Sequence, residues 1–127
     1  MINLFQPTLG KEELHEIGKV FKSNWLGKGN YVKEFEEGFA NNLKTTSEHF
    51  LSTTSCTEAI FLSAELFNFT EEDEIIIPSI SFPSVASAIM SKGSKIVFCD
   101  VDKRTLNVRA EDIKDKITSK TKAIFVT

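Results

Sequence analysis

The sequence has no basic surplus: 15 Lys and Arg face 18 Asp and Glu, for a formal charge of −3. Lys and Arg form no cluster, which argues against a nucleic-acid platform or an anionic membrane surface as partner. Its two cysteines, Cys56 and Cys99, are too few and too far apart for a disulfide framework and match no metal-knuckle spacing, so a reducing cytoplasm is the simplest setting. Long apolar runs are also missing. The longest nearly uncharged stretch, Ile75 to Met90, is broken by Pro78, Pro83 and interspersed serines and cannot span a bilayer. The first seven residues have neither a basic leader nor a long apolar core, so export is not expected. One Trp and one Tyr stand against 11 Phe, so the interior is expected to be packed with rings lacking a polar handle. What is present is 127 residues, 41% hydrophobic and 26% charged, enough to bury a core in one soluble globular unit but not to build two full domains.

Hydrophobic periodicity switches repeatedly between the helical and strand periods. Leu14, Ile17, Val20 and Phe21 form one stripe of a helix over 11–23, which Asn24-Trp25-Leu26-Gly27-Lys28-Gly29-Asn30 then breaks. Val32, Phe35, Phe39 and Leu43 predict a second helix over 31–43. A short strand near 49–53, a helix over 56–67, a strand over 74–78, a helix over 83–90, a strand over 95–99, a short helix over 110–117 and a strand over 123–127 follow. Apolar β-branched runs separated by helices predict an α/β fold with a mainly parallel sheet, its strands Ile75–Ile77, Ile96–Phe98 and Ile124–Val126 buried. The chain stops on a buried-type strand with no covering helix, which reads as a truncated domain. In such sheets ligands bind beyond the carboxyl ends of the strands.

Ser52-Thr53-Thr54-Ser55-Cys56-Thr57-Glu58-Ala59 is a hydroxyl-rich turn opening a helix. A helix N-terminus offers unpaired N–H groups, and Ser55 and Thr57 add hydroxyls, so a phosphate fits there; plain N-capping by Ser55 needs no ligand and is the reading the local residues favour. No nucleotide P-loop is present, and Gly27-Lys28-Gly29 lacks the third glycine of a dinucleotide fingerprint. Phe82, beyond the 74–78 strand, offers either a flat face to an aromatic cofactor or a core ring. Asp100 and Asp102 lack a third metal ligand and read as turn and cap residues. His15 and His49 read as surface or packing residues, and Cys56 has no identifiable partner base.

Taken in order, several segments resemble the DegT/DnrJ/StrS group of pyridoxal-phosphate-dependent nucleotide-sugar aminotransferases, which share the aspartate aminotransferase fold. They are Ser23-Asn24-Trp25-Leu26-Gly27-Lys28-Gly29 with Phe35-Glu36, Ser55-Cys56-Thr57-Glu58-Ala59, Asp73 to Phe82, Gly93 to Asp102, Thr105-Leu106-Asn107, and Ile117 to Ile124. The resemblance implies a partial fold-type-I large domain, with residues 1–127 its N-terminal part. It implies that Ser55, Cys56, Thr57 and Glu58 bind the phosphate of pyridoxal 5'-phosphate, Thr57 and Glu58 through backbone N–H groups and Thr57 also through its hydroxyl. Phe82 matches the ring that stacks on the pyridine. Cys56 stands where many members have Gly, a form resembling members that act on 4-keto hexoses. Trp25, Lys28 and Gly29 match a loop near the sugar-nucleotide entrance at the subunit interface of a homodimer, with Lys28 a candidate diphosphate contact.

The family's transamination needs a Schiff-base Lys and an Asp paired with the pyridine nitrogen. Neither has a match within these 127 residues, so no catalytic residue is assigned and the chain alone is expected to be inactive. The resemblance implies a longer cytoplasmic enzyme moving an amino group, from glutamate, to a nucleotide-linked ketosugar in cell-surface polysaccharide or amino-sugar biosynthesis. The alternative is a non-catalytic binding or regulatory module that keeps the fold and an anion site.

Overall fold

The computed structural model describes residue 2 and residues 6–126. The chain divides into two compact units, one ending at Ser52 and one beginning at Thr53.

In the first unit, α1 (Lys11–Lys22) carries Glu12 and Glu13 in its first turn and Lys19 and Lys22 in its last, each complementing the helix dipole. Glu13 also folds back to accept the Gly10 N–H at 2.6 Å. Asn24 ends the run in the left-handed region (φ 57°), where asparagine is tolerated. The Leu14, Ile17 and Phe21 stripe is exposed in this chain. Helix α2 (Asn30–Asn42) buries Glu36 and Ala40, with Val32 half-buried one turn earlier. The expected stripe of Phe35, Phe39 and Leu43 is therefore off by one residue, and those side chains are exposed. Phe39 instead packs between Phe35 and Phe50, its ring tilted to each of theirs.

The strand expected over 49–53 does not form. Ser47–His49 is a 3₁₀ turn, closed by the Phe50 N–H donating to the Ser47 carbonyl. The extended residues after it pair with no strand, and the Ser52 N–H goes to the Glu36 carboxylate.

The second unit is an α/β layer. Helix α3 (Cys56–Leu66) leads through a turn, pinned by Asp73 accepting from the Thr70 N–H and hydroxyl, into β1 (Glu74–Pro78). Helix α4 (Pro83–Met90) starts with proline at its first position, where no N–H is missed, and ends before Gly93, whose φ of 73° suits glycine. Strand β2 (Lys95–Cys99), the short α5 (Ala110–Lys114) and β3 (Thr121–Ile124) complete it.

All three strands are parallel, in the order β2-β1-β3. Strand β3 starts two residues before the expected 123–127, because the Glu74 N–H donates to the Lys120 carbonyl and pulls Thr121 into register. A bulge then aligns Ile75 with Ala123. Of the expected strand, Thr127 lies outside the described residues. At the strand starts, the Glu74 carboxylate accepts from Lys95 Nζ and the Thr118 hydroxyl, both at 2.7 Å, tying both neighbours to β1.

Burial follows position in the sheet. Ile75 and Ile77 pack with Ala64, Phe69, Val85, Ala88 and Ile89 of the α3–α4 side. Ile76, on the other face by strand alternation, is buried as well. The edge strands depart from the expectation of full burial: Ile96, Val97 and Phe125 are half-buried, and Phe98, Ile124 and Val126 are exposed. An edge strand has neighbours on one side only, so its side chains are screened less than those of β1. Among the described residues no helix is long and apolar enough to cross a membrane.

Candidate functional site

In the second unit, Ser55 adopts extended backbone and its Oγ accepts the Glu58 N–H at 3.1 Å, so it is the N-cap of α3. The Glu58 carboxylate does not close a reciprocal box on Ser55. It reaches one residue further back, accepting from the Thr54 N–H (2.8 Å) and hydroxyl (2.6 Å). Those bonds, the hydroxyl's first, hold the Glu58 carboxyl below the usual range and keep it ionised.

The Glu58 N–H is therefore already engaged, by Ser55 Oγ, which accepts it and keeps its own O–H as a donor. The N–H groups of Cys56 and Thr57 occupy the first helical positions, where no intrahelical acceptor exists, and the Thr57 hydroxyl makes no bond to another described residue. Cys56, Thr57 and Glu58 are exposed, and the Cys56 thiol is free. Three donors thus converge on solvent at the positive end of a helix, with the nearest carboxylate turned away towards Thr54. A phosphate matches that arrangement.

Phe82 is the N-cap residue of α4, and α3 and α4 pack against each other in the same layer. Its ring is 71% exposed, so it is not a core ring of this chain. The phosphate and ring candidates thus stand at the N-terminal ends of two adjacent helices. Both follow hydroxyl-rich loops, and the Ser79–Phe82 loop leaves the carboxyl end of the central strand, where ligands collect in open parallel sheets.

The first unit holds the third cluster. The Trp25 indole N–H donates to the Lys28 carbonyl at 3.0 Å, and the Trp25 N–H donates to Ser23 Oγ. A Cβ on Gly29 would lie 2.8 Å from the indole Cδ1, so only glycine lets the ring close over the loop. Trp25, Lys28 and Gly29 thus form one folded loop bordering a cavity of about 620 Å³, further lined by Val20, Tyr31 and Val32. Lys28 Nζ lies 3.3 Å from Glu36 Oε1, and that same oxygen accepts the Ser52 N–H (2.9 Å) and hydroxyl (2.8 Å). The Ser52 N–H, with the hydroxyl and Lys28 after it, holds the Glu36 carboxyl below the usual range. Sequence reasoning named Glu36 only within the Phe35-Glu36 pair of the resemblance and gave it no role, although Val32, Glu36 and Ala40 recur at four-residue spacing, the mark of a single helix face.

The remaining candidates play structural parts. Asp102 Oδ1 accepts the Arg104 and Thr105 N–H groups, and Asp100 accepts the Val101 N–H, which makes both turn formers. Arg109 clamps Asp112 through two nitrogens. His49 Nδ1 lies within reach of the Thr45 and Thr46 hydroxyls. Cys99 is buried, and burial pushes its thiol up.

Comparison with known proteins places this geometry among relatives. The profile of the DegT/DnrJ/EryC1/StrS aminotransferase family matches residues 7–127. The chain is 45% identical, over 99% of its length and 33% of the relative's, to dTDP-4-dehydro-2,3,6-trideoxy-D-glucose 4-aminotransferase of Saccharopolyspora spinosa. It is 36% identical, over 93% of its length and 30% of the relative's, to the spore coat polysaccharide biosynthesis protein SpsC of Bacillus subtilis. Among solved structures, the aminotransferase TlmJ of Streptoalloteichus hindustanus superposes with a TM-score of 0.93 at 48% identity, covering 98% of this chain and 34% of that one. The E. coli GDP-4-keto-6-deoxy-D-mannose-3-dehydratase, solved with bound hydrated PLP, gives 0.85 at 30% identity, covering 99% and 34%. The chain spans about a third of the length of the relatives it matches.

Proposed function

Because the chain belongs to the DegT/DnrJ/EryC1/StrS aminotransferase family, we propose that it supplies the cofactor-phosphate cradle of a pyridoxal-phosphate-dependent enzyme. In this reading the full-length protein moves an amino group from glutamate to a nucleotide-linked ketosugar. Residues 1–127 are the N-terminal part of its large domain, and alone they bind anions without transaminating. The observation that carries the reading is the set of unused donors on α3: the N–H groups of Cys56 and Thr57 and the Thr57 hydroxyl, open to solvent.

The residues present fit the cofactor. A phosphate dianion gains charge-assisted hydrogen bonds from those three donors and a favourable helix-end potential. Ser55 and Glu58 hold the first turn of α3 in shape, and Glu58 turned onto Thr54 keeps its charge off the anion. Phe82 presents an exposed ring face, and stacking against a pyridine contributes about 0.5–1.5 kcal/mol beyond burial. When bound, the cofactor supplies the electron sink for amino transfer. This chain's residues bind and orient it, and no proton-transfer role falls to them.

The Trp25–Gly29 loop, with Lys28 as its cation, is the proposed contact for the diphosphate of the sugar nucleotide. The full-length protein acts as a cytoplasmic homodimer in this reading, in keeping with the apolar side chains that α1 leaves exposed.

Thr57→Ala in the full-length protein tests the cradle. Losing a hydroxyl donor to a charged phosphate is expected to weaken cofactor retention by about 1.5–3 kcal/mol, read by equilibrium dialysis. Unchanged retention would overturn the phosphate assignment. The capping bond of Ser55 favours one other reading, a non-catalytic module that keeps an anion site. An absorbance band in the visible or near-ultraviolet that borohydride abolishes belongs only to the enzyme.

A further inference from the structure

We propose that Thr54 is a positioning residue for the cofactor phosphate: it holds the Glu58 carboxylate, an anion that α3 carries in its own first turn, out of the cradle formed by Cys56 and Thr57. The inference rests on the reading that this cradle takes the phosphate, and deepens it by naming what keeps the cradle open.

A carboxylate at the third position of a helix has two attractive destinations. One is the N–H of the capping residue, here Ser55; the other is the set of open N–H groups in the first turn, towards which the helix dipole draws it. Both destinations lie at the cradle. The Glu58 carboxylate takes neither. Its Oε2 accepts the Thr54 N–H at 2.8 Å and the Thr54 hydroxyl at 2.6 Å, so one oxygen holds both donors of a single residue. Among the described residues no Lys or Arg pairs with Glu58, and the bonds that hold its carboxyl below the usual range all come from Thr54. Glu58 is exposed, so burial does not fix its side chain. The Thr53 hydroxyl donates to the Ser55 carbonyl at 2.9 Å, which braces the chain across Thr54.

Thr54 has no donor left for an anion. Its N–H and its single hydroxyl proton are both spent on Glu58, so its effect on a phosphate passes through that carboxylate. Removing the hydroxyl leaves Glu58 tied by one N–H and freer to turn onto the N–H groups of Ser55, Cys56 and Thr57. There it is an internal competitor, because a carboxylate and a phosphate use the same donors and the phosphate must displace it.

Thr54→Val keeps the shape of the side chain and removes the hydroxyl. In the full-length protein it is expected to weaken retention of pyridoxal 5'-phosphate about two- to fivefold, the range of exposed charge interactions, read by equilibrium dialysis. Thr54→Ser keeps the hydroxyl and is expected to retain the cofactor as the unsubstituted protein does; a loss equal to that of Thr54→Val overturns the proposal. The decisive comparison repeats Thr54→Val with Glu58→Gln already in place. With no carboxylate to stray, the effect of Thr54→Val is expected to vanish. A merely structural Thr54 weakens retention alike in both backgrounds, and that result overturns the proposal, as does unchanged retention in Thr54→Val alone. Thr54→Ala removes the same hydroxyl and repeats the comparison if Thr54→Val does not fold.

Thr57→Ala separates this inference from the reading beneath it. If Thr57→Ala leaves retention unchanged, the cradle and the inference fall together. If it weakens retention and Thr54→Val does not, the inference alone falls.

Discussion

After Thr53, Ile75 and Ile77 of β1 sit in a continuous apolar cluster with Ala64, Ala88 and Ile89 from the flanking helices, Ile76 is buried on the opposite face, and Glu74, Ser84 and Ser94 are the buried polar residues. Before Thr53, the buried side chains among the described residues are Ala40 and Glu36, while Leu14, Phe21, Phe35 and Phe39 stay exposed. The first arrangement is non-directional, and its strength scales with area removed from water. The second depends on a carboxylate with oriented donors, so it is directional and sensitive to charge. Each of the two parts is thus stabilised internally by different physics. The part that relies on packing carries the candidate cofactor cradle. The part that relies on a charged hub carries the Trp25–Gly29 loop.

The contrast can be broken by substitution. Ile77→Ala removes a fully buried side chain from the sheet centre and is expected to cost about 2–5 kcal/mol, measured by urea denaturation. A cost below that of a typical surface change would show that the β1 cluster is not the core. Gly29→Ala is expected to cost less, about 1–3 kcal/mol, because the new Cβ forces the Trp25 indole off the loop. Tryptophan fluorescence should report that displacement, and an unchanged spectrum would contradict the close approach.

Acid gives the smallest effect and sharpens the contrast. Both Glu36 and Glu74 have carboxyls depressed below their ordinary 4.5 in the folded chain. Each therefore contributes stability that is fully present above 4.5 and is lost as the pH falls through the depressed value. In the second unit the apolar cluster remains when Glu74 is protonated. In the first, protonating Glu36 removes the charged hub itself. Amide exchange is expected to show protection at Ser52 lost first on acidification, with the β1 amides retained. Simultaneous loss would make the two units equally dependent on charge.

Where the sequence alone was sufficient, a local rule had no competitor. The strands over 74–78 and 95–99 and the helix over 83–90 were legible to the residue, because Pro83, Gly93 and the isoleucine run each mark a boundary by steric or period rules. The failures are places where a distant partner decides. The 49–53 segment has strand composition, but Ser52 gives its N–H to a side chain sixteen residues away. The start of β3 is set by the Lys120 carbonyl meeting Glu74, which no window around 121–124 contains. Edge exposure likewise depends on strand order, which alternation of elements does not specify.

At the candidate site, turn chemistry put Ser55, Cys56 and Thr57 at the opening of a helix and Phe82 just beyond the 74–78 strand, and those are the positions they occupy. The diversion of the Glu58 carboxylate to Thr54 was not legible, because a serine followed three residues later by glutamate suggests a reciprocal box. Glu36 was hidden for another reason. The ring residues Phe35 and Phe39 dominate any hydrophobicity pattern, and the true inner face of α2 is marked by a charge.

The order β2-β1-β3 also has a consequence in time. The most apolar strand is made first, and both of its neighbours lie downstream, since Ile75 pairs with Ile96 and with Ala123. At about 5–20 residues per second, synthesis reaches Ile96 on the order of seconds after Ile75. During that interval Ile75, Ile76 and Ile77 have helix α3 behind them but no strand on either side. The future central strand therefore waits for its partners, and neither of its two ladders can close until Lys95 and then Thr121 have been added to the chain.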